Sequence, residues 1–412
     1  MTTATGPGRE LSIMLVAGEA SGDLHGAALC RALRERAPDA RLFGMGGARM
    51  AAAGMEVLED VTASAIVGGT EAAAGVLPLY RSFRRLRARL EGPERPRALV
   101  LIDFPEFNLR LARVARRHGV PVVYFIPPQV WAWRGWRVHA MRRLLSLVLA
   151  VFPFELPFYQ RARVPVAYVG HPLVDALADA PTREAARARL GLAPDALVVG
   201  LLPGSRRGEV ARALPVMRDA LARIAARKPG IEAVLALAPT IELGACETHP
   251  PSPPSDTTPP AVAVDAGPAV RVVRDAAHDV MRAADLVIAT SGTVTLEAAL
   301  LGAPMVVCYR VSRLSAVMIR SLIRVPWMCL VNIILGRAVV PELFQEDATG
   351  ERVAAEALRL LDDAGARETQ RAAFRELAGG LGDPGVGARA ADLILQTCFG
   401  ARPETRLAGA RP

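Results

Sequence analysis

Lysine is all but missing from this chain: Lys228 is the only one among 50 basic residues, so the formal net charge of +9 is carried by arginine. Such a skew reflects codon bias more than selection for guanidinium chemistry, yet it leaves a basic surface open to phosphates, nucleic acid or anionic headgroups. The five cysteines, Cys30, Cys246, Cys308, Cys329 and Cys398, include no C-x-x-C pair. That excludes a disulfide framework and a zinc site, and fits buried thiols in a reducing compartment. Aromatics are sparse at 5%. No run reaches the roughly 18 uninterrupted apolar residues of a membrane span. The opening MTTATGPGRELSIMLVAGEA has too short an apolar run for a signal peptide. The expectation is a cytoplasmic protein whose membrane contact is peripheral.

What is present suits two domains: 412 residues, 51% hydrophobic and 22% charged. The stretch DLVIATSGTVTLEAALLGAPMVV (285–307) reads as a strand, a small-residue turn, a helix and a second strand. A parallel βαβ unit puts that turn where ligands bind. Ser291, Gly292 and Thr293 let a phosphate approach the unpaired N–H groups of a helix start, and Glu297 could accept ribose hydroxyls. A capped helix with a solvated Glu is the plainer alternative. The turn PGSRRGEV after strand Val198–Leu202 adds Gly204, Ser205 and Arg206, whose guanidinium suits bidentate contact with a diphosphate. Two anion-friendly turns in one half favour a nucleotide site.

Strand Ile13–Val16 leads into AGEASGDLHGAALCRAL, which resembles a phosphate loop but lacks the Walker lysine and the G-x-G-x-x-G spacing. Carboxylates Glu19 and Asp23 suit sugar hydroxyls there; a capped helix start is the alternative. Strand Ala98–Ile102 ends in Asp103, where a carboxylate can face the ligand crevice as a general base. Pro105 stops the strand and Asn108 can cap the next helix. After strands Val122–Ile126 and Val148–Phe152, His171 either contacts a phosphate or hydroxyl or caps a turn. Trp131, Trp133 and Trp136 fall in one arginine-bearing run that looks like a packed loop. Residues 64–83 place apolar side chains before an arginine-rich helix, which serves either an interfacial membrane contact or an amphipathic core helix. Residues 239–268 read as a flexible proline-rich insertion.

Taken together, VAGEASGDLHGA (16–27), IDFPEFN (102–108), YFIPPQVWAWRGWR (124–137), VGHPLVD (169–175), LLPGSRRGEV (201–210), ATSGTVTLEAALLGAPMVV (289–307) and LVNIILGRAVVPELFQ (330–345) resemble the lipid-A-disaccharide synthases. The SGTVTLE element is common to many GT-B enzymes; GEASGD, IPPQVWAW and VPELFQ are far more particular. The resemblance implies an α/β protein of GT-B type, two Rossmann-like domains facing across a crevice. Residues 1–180 would bind the acceptor and face the membrane, 181–350 would bind the UDP-sugar, and helices 351–412 would follow, either crossing back to the first domain or exchanging within a homodimer.

The implied reaction joins UDP-2,3-diacylglucosamine to 2,3-diacylglucosamine 1-phosphate (lipid X), with inversion to a β-1,6 disaccharide 1-phosphate and release of UDP. Asp103 matches the general base. Glu19, Ser21, Arg206, Ser291, Gly292, Thr293, Glu297, Asn332, Arg337 and Gln345 match substrate and UDP positions, and Val67, Leu77, Leu79 and Phe83 the membrane-facing part. No D-x-D is present to hold a metal, and neither metal nor cofactor is expected. The implied location is the inner face of the inner membrane, with no nucleic-acid partner. Two departures stand out: Glu106 where the family usually has Asp, and Gly68–Gly69 where it often has a Met-Gly pair. The alternatives are another GT-B enzyme of UDP-sugars, such as a 2-epimerase, or a non-catalytic basic protein that binds membranes or nucleic acid.

Overall fold

Apolar runs of four to six residues, such as Ala98–Ile102 and Val198–Leu202, form the central strands, and their nearly continuous burial on both faces marks them as members of parallel sheets covered by helices. The computed structural model describes residues 11–60, 72–131, 135–238, 241, 261–262, 269–312, 316 and 326–400. The chain divides into two compact units, Met1–Asp175 with Leu381–Pro412, and Ala176–Gly380.

In the first unit, β1 (Ser12–Ala17), β2 (Arg41–Gly46), β3 (Glu56–Asp60), β4 (Ala98–Ile102), β5 (Val122–Phe125), β6 (Leu147–Ala150) and β7 (Val166–Tyr168) form one sheet in the order β3-β2-β1-β4-β5-β6-β7. Every neighbouring pair is parallel. Two strands stop earlier than their apolar runs suggest. Ile126 takes a positive φ of 57° and leaves β5, while the N–H groups of Val151 and Phe152 turn to the carboxylate of Glu155 instead of extending β6.

The last helix of this unit, Val386–Phe399, packs on helix Ala20–Arg36. Arg36 Nε donates to Asp392. Asp175, the last residue of the VGHPLVD run, accepts from the N–H groups of Gly385 (2.6 Å) and Gly387 (3.2 Å), and so caps that helix. Arg389 closes the contact by donating to the carbonyl of Val169 at 3.0 Å.

In the second unit, β8 (Val198–Leu202), β9 (Glu232–Leu237), β10 (Ala261–Val262), β11 (Val270–Arg274), β12 (Leu286–Ala289), β13 (Met305–Tyr309) and β14 (Glu342–Phe344) are ordered β10-β11-β9-β8-β12-β13-β14. Only β10 is antiparallel. Helices Arg207–Arg227 and Gly350–Asp362 cover one face through a core that includes Met217, Leu221, Ile224, Val353, Ala357 and Leu360. Gln370 is buried and binds the N–H and C=O of Met305 at 2.9 and 3.2 Å, tying helix Ala364–Gly380 to β13. Among the described residues no helix is long and apolar enough to cross a membrane. The proline-rich insertion, apart from Ile241 and β10, lies outside the described residues.

Candidate active site

In both sheets the strand order reverses direction at one point, and at such a switch point the loops leaving the carboxyl ends of two adjacent strands part to opposite faces and open a ligand crevice. In the first unit the switch lies between β1 and β4, which are paired from Ile13↔Ala98 to Ala17↔Ile102. These strands lead directly to Gly18–Ser21 and to Asp103.

Asp103 and Phe104 both adopt φ of 49°, a left-handed backbone that costs energy at a residue with a side chain. Neighbours hold it in place. Asn108 Nδ2 donates to the carbonyl oxygens of Asp103 (2.6 Å) and Ile102 (3.2 Å), and the Tyr124 hydroxyl donates to Asp103 O at 2.6 Å. The Phe104 ring lies over Gly18, where a Cβ would come within 2.1 Å of it, and stacks on Phe107 at 5.4 Å. Asp103 is left half-buried at the mouth of the turn. Asn108 therefore does not cap: helix Pro105–Arg117 begins before it, and its amide instead braces the strained turn.

Glu19 occupies the N-cap position of helix Ala20–Arg36 without capping it, and Ser21 is half-buried in the first turn. Asp23, read from sequence as a partner for sugar hydroxyls, is occupied otherwise. Its carboxylate accepts from the N–H groups of Gly47 (2.7 Å), Arg49 (3.1 Å) and Met50 (3.0 Å), capping helix Ala48–Ala52. His171 is a turn cap, its Nδ1 accepting from Leu173 N at 3.2 Å, and burial beside His25 pushes its pKa down to about 3. Glu106, beside the strained turn, pairs with the buried Arg137. Trp131 donates Nε1–H to the buried Glu155 at 3.1 Å, whose pKa burial lifts to about 7. Trp136 is exposed; Trp133 lies outside the described residues.

In the second unit the switch lies between β8 and β12. After β8, Gly204 has φ of 113°, and a Cβ there would lie 2.6 Å from Glu209 Oε2 and 3.3 Å from Thr290 Cγ2, so only glycine lets the two turns meet. Glu209 accepts from the N–H groups of Ser205 (3.2 Å) and Arg206 (3.3 Å) and stands 3.7 Å from the exposed Arg206 guanidinium. After β12, Gly292 takes φ 156° and ψ −165°, a region reserved for glycine, and among the described residues nothing lies within 4 Å of where its Cβ would be. Helix Thr293–Leu300 starts at once. Its first N–H groups therefore have an open approach for an anion.

Glu297 accepts a hydrogen bond from His278 or donates to it according to protonation, at 2.9 Å. Ser291 donates to the carbonyl of Met328 (3.0 Å), and Glu342 in turn accepts from the N–H groups of Met328 (2.8 Å) and Cys329 (3.0 Å) and from Asn332 Nδ2. Asn332 is buried and also clamps the N–H groups of Val339 and Val340. Gln345 accepts from Val311 N at 2.7 Å. Arg337 makes a two-point surface pair with Glu376. On helix Ala72–Glu91, Leu77 is 54% exposed, whereas Leu79 and Phe83 pack against the core of the first unit; Val67 lies outside the described residues.

A family model described as lipid-A-disaccharide synthetase matches residues 13–382. The chain belongs to the lipid-A-disaccharide synthetase family. The lipid-A-disaccharide synthase of Geobacter sulfurreducens is 46% identical over 93% of this chain and 96% of its own length, and that of Myxococcus xanthus 41% identical over 93% and 97%. Membership carries the enzyme class with it, a glycosyltransferase. A solved structure of a putative UDP-N-acetylglucosamine 2-epimerase from Listeria monocytogenes matches with a TM-score of 0.64 at 14% identity, over 96% of this chain and 98% of that one. The UDP-GlcNAc 2-epimerase from Neisseria meningitidis matches with 0.58 at 12%, over 95% and 99%. These distant likenesses show the fold alone, two parallel-sheet α/β domains of GT-B type.

Sequence reasoning missed four residues of this family member that the geometry makes prominent: His278, Arg137, Glu342 and Asp175. Glu342 stood in view inside VPELFQ, and a lone carboxylate in an apolar element was the available signal. Arg137 and Asp175 likewise close the YFIPPQVWAWRGWR and VGHPLVD motifs; nothing local marks His278.

Proposed function

We propose that the chain joins UDP-2,3-diacylglucosamine to 2,3-diacylglucosamine 1-phosphate through the residues gathered at the two switch points. Asp103 takes the proton from the acceptor's 6-hydroxyl as that oxygen attacks C1 of the UDP-sugar from the face opposite UDP, giving a β-1,6 bond. Arg206, the turn Ser291–Thr293 and the N–H groups of the helix behind it meet the charge that builds on the leaving diphosphate. Glu297 accepts the ribose hydroxyls and His278 orients it. Asn332 and Glu342 act behind Ser291, through Met328. Glu19 and Ser21 line the acceptor side beside Asp103, and Gln345 and Arg337 complete the donor side.

The observation that carries this reading is the strained Asp103 turn at the switch point of the first sheet, since backbone strain persists only where surrounding contacts over-determine it and clusters at working sites. Membrane contact belongs to the same proposal: Leu77 and Tyr80 are exposed on a helix that also exposes Arg81, Arg84, Arg85, Arg87 and Arg89, a pairing that suits acyl chains and lipid phosphates on the inner face of the inner membrane. Supplying both diacyl substrates and following UDP and disaccharide by mass spectrometry tests the reaction. Formation of an epimerised UDP-sugar, or of no product, would overturn it.

A further inference from the structure

We propose that the unit Ala176–Gly380 carries a second anion site, for a phosphate or diphosphate group either free or borne on a lipid headgroup, in the arginine-lined cavity formed by Arg183, Arg282, Arg367 and Arg371. The cavity has a volume of about 420 Å³, within the range of small-ligand pockets. It is separate from the proposed donor site. Its lining residues Asp285 and Leu301 precede β12 and β13, at the amino ends of these strands, whereas Ser291–Thr293 follow β12 at the opposite edge of the same sheet.

Among the described residues, four guanidinium groups line this cavity against the single carboxylate of Asp285. That carboxylate is already shared: it holds Arg183 at 2.6 Å, the buried Arg187 at 3.1 Å and the N–H of Val198 at 2.9 Å. Main-chain carbonyls fix the guanidinium groups around the rim. Arg183 donates to Ala284 O (3.0 Å), Arg282 to Leu301 O (3.1 Å), Arg371 to Gly302 O (3.4 Å) and Arg367 to Leu361 O (2.8 Å). Glu368 is the further carboxylate nearby, 3.8 Å from Arg371 and shared with Arg375.

The arrangement leaves charge and donors uncompensated. Among the described residues, Arg282 Nε is buried with no hydrogen-bond partner, a state that native structures rarely tolerate without a ligand or a role. Burial, against the opposing carboxylates of Glu368 and Asp285 and with Arg367 and Arg183 adding like charge, pulls the Arg371 pKa below its usual value. Guanidinium forks held in advance by carbonyls match the oxygens of a phosphate, and a multiply charged anion relieves the crowding of like charge.

The test is titration of the Arg206→Ala full chain with sodium pyrophosphate, so that the proposed donor site is weakened, and the Arg282 and Arg371 variants tell which of the two sites the binding reports, whatever becomes of the donor-site reading. One binding event is expected, weakened about tenfold or more by Arg282→Ala or by Arg371→Ala, with Arg371→Lys retaining part of it. Pyrophosphate should raise the thermal midpoint of the Arg206→Ala chain and not of the Arg206→Ala/Arg371→Ala chain. Arg371 is held to the main chain by one long bond, so its variant reads the site even where Arg282→Ala fails to fold. Absence of binding, or binding that survives both substitutions, would overturn the proposal. Flotation on phosphatidylglycerol vesicles separates the sources. Capture released by pyrophosphate and by Arg371→Ala marks a headgroup; pyrophosphate binding without such capture marks the free anion.

Discussion

His278 Nε2 lies 2.9 Å from Glu297 Oε2, joining the helix after β11 to the helix after β12. The hydrogen bond that His278 donates to the Glu297 carboxylate is the main reason that its pKa is raised, burial acting the other way. One carboxylate oxygen of Glu297 is thereby held in place.

Glu297→Ala should raise the KM for the UDP-sugar several-fold with the fold intact, and His278→Ala should do so to a smaller degree. The pH dependence has a definite sign. A raised folded-state pKa keeps the charged pair at low pH, and its contribution is lost as pH rises through that raised value. KM measured across this range should climb in the wild type and stay flat in His278→Ala. Equal slopes in the two would remove His278 from the site.

Asp103→Asn should keep the fold, because asparagine tolerates the left-handed backbone as aspartate does and the contacts from Asn108 and Tyr124 are made to the main-chain carbonyl. The amide accepts no proton, so turnover should fall by roughly 10²–10⁴-fold. Turnover and thermal midpoint belong on one preparation. Near wild-type turnover with a lowered midpoint would assign Asp103 a purely structural role.

Leu77→Ser with Tyr80→Ser should release the protein from anionic vesicles, since each apolar side chain fully buried in the acyl region is worth about 1.5–3 kcal/mol. Phe83→Ser should act differently, lowering the thermal midpoint, because Phe83 meets Phe107 edge-on at 5.5 Å and packs on the core. Flotation and thermal melts of both variants separate the two roles. Retention of the double variant on vesicles would exclude this face as the contact.

Glu155 should make stability depend on pH in the direction opposite to an ordinary carboxylate. Burial lifts its pKa from 4.5 to about 7, so between these values the folded protein keeps a proton that the unfolded chain has lost, and stability falls as pH rises. The full effect is on the order of 3 kcal/mol. Glu155→Gln cannot titrate, so its thermal midpoint should gain on the wild type as pH goes from 4.5 to 7. Parallel pH profiles would sink the assignment.

Most of the strands, and the residue types in the turns that follow them, are legible in the sequence alone. Apolar runs such as Ala98–Ile102 and Val198–Leu202 are buried on both faces, and that requirement is written into each run locally. Asp103 at a strand end, Arg206 beside a glycine turn and the small residues Ser291–Thr293 were legible for the same reason, and the dense motifs made the family legible with them.

Which of these polar groups are already engaged depends on the packing of distant segments. Asp23 reads as a partner for sugar hydroxyls, and Asp175 carries no reading at all, until residues 24 and 210 positions away in the chain bring their backbone N–H groups to them. Asn108 braces a strained carbonyl instead of capping, and His278 reaches Glu297 only because β11 and β12 take their places in one sheet. A hydrogen bond depends on a few ångströms of separation, and a local pattern of residue types carries no information about which distant segment will stand at that distance. The switch points are of the same kind. They exist only in strand order, which hydrophobic periodicity leaves undetermined.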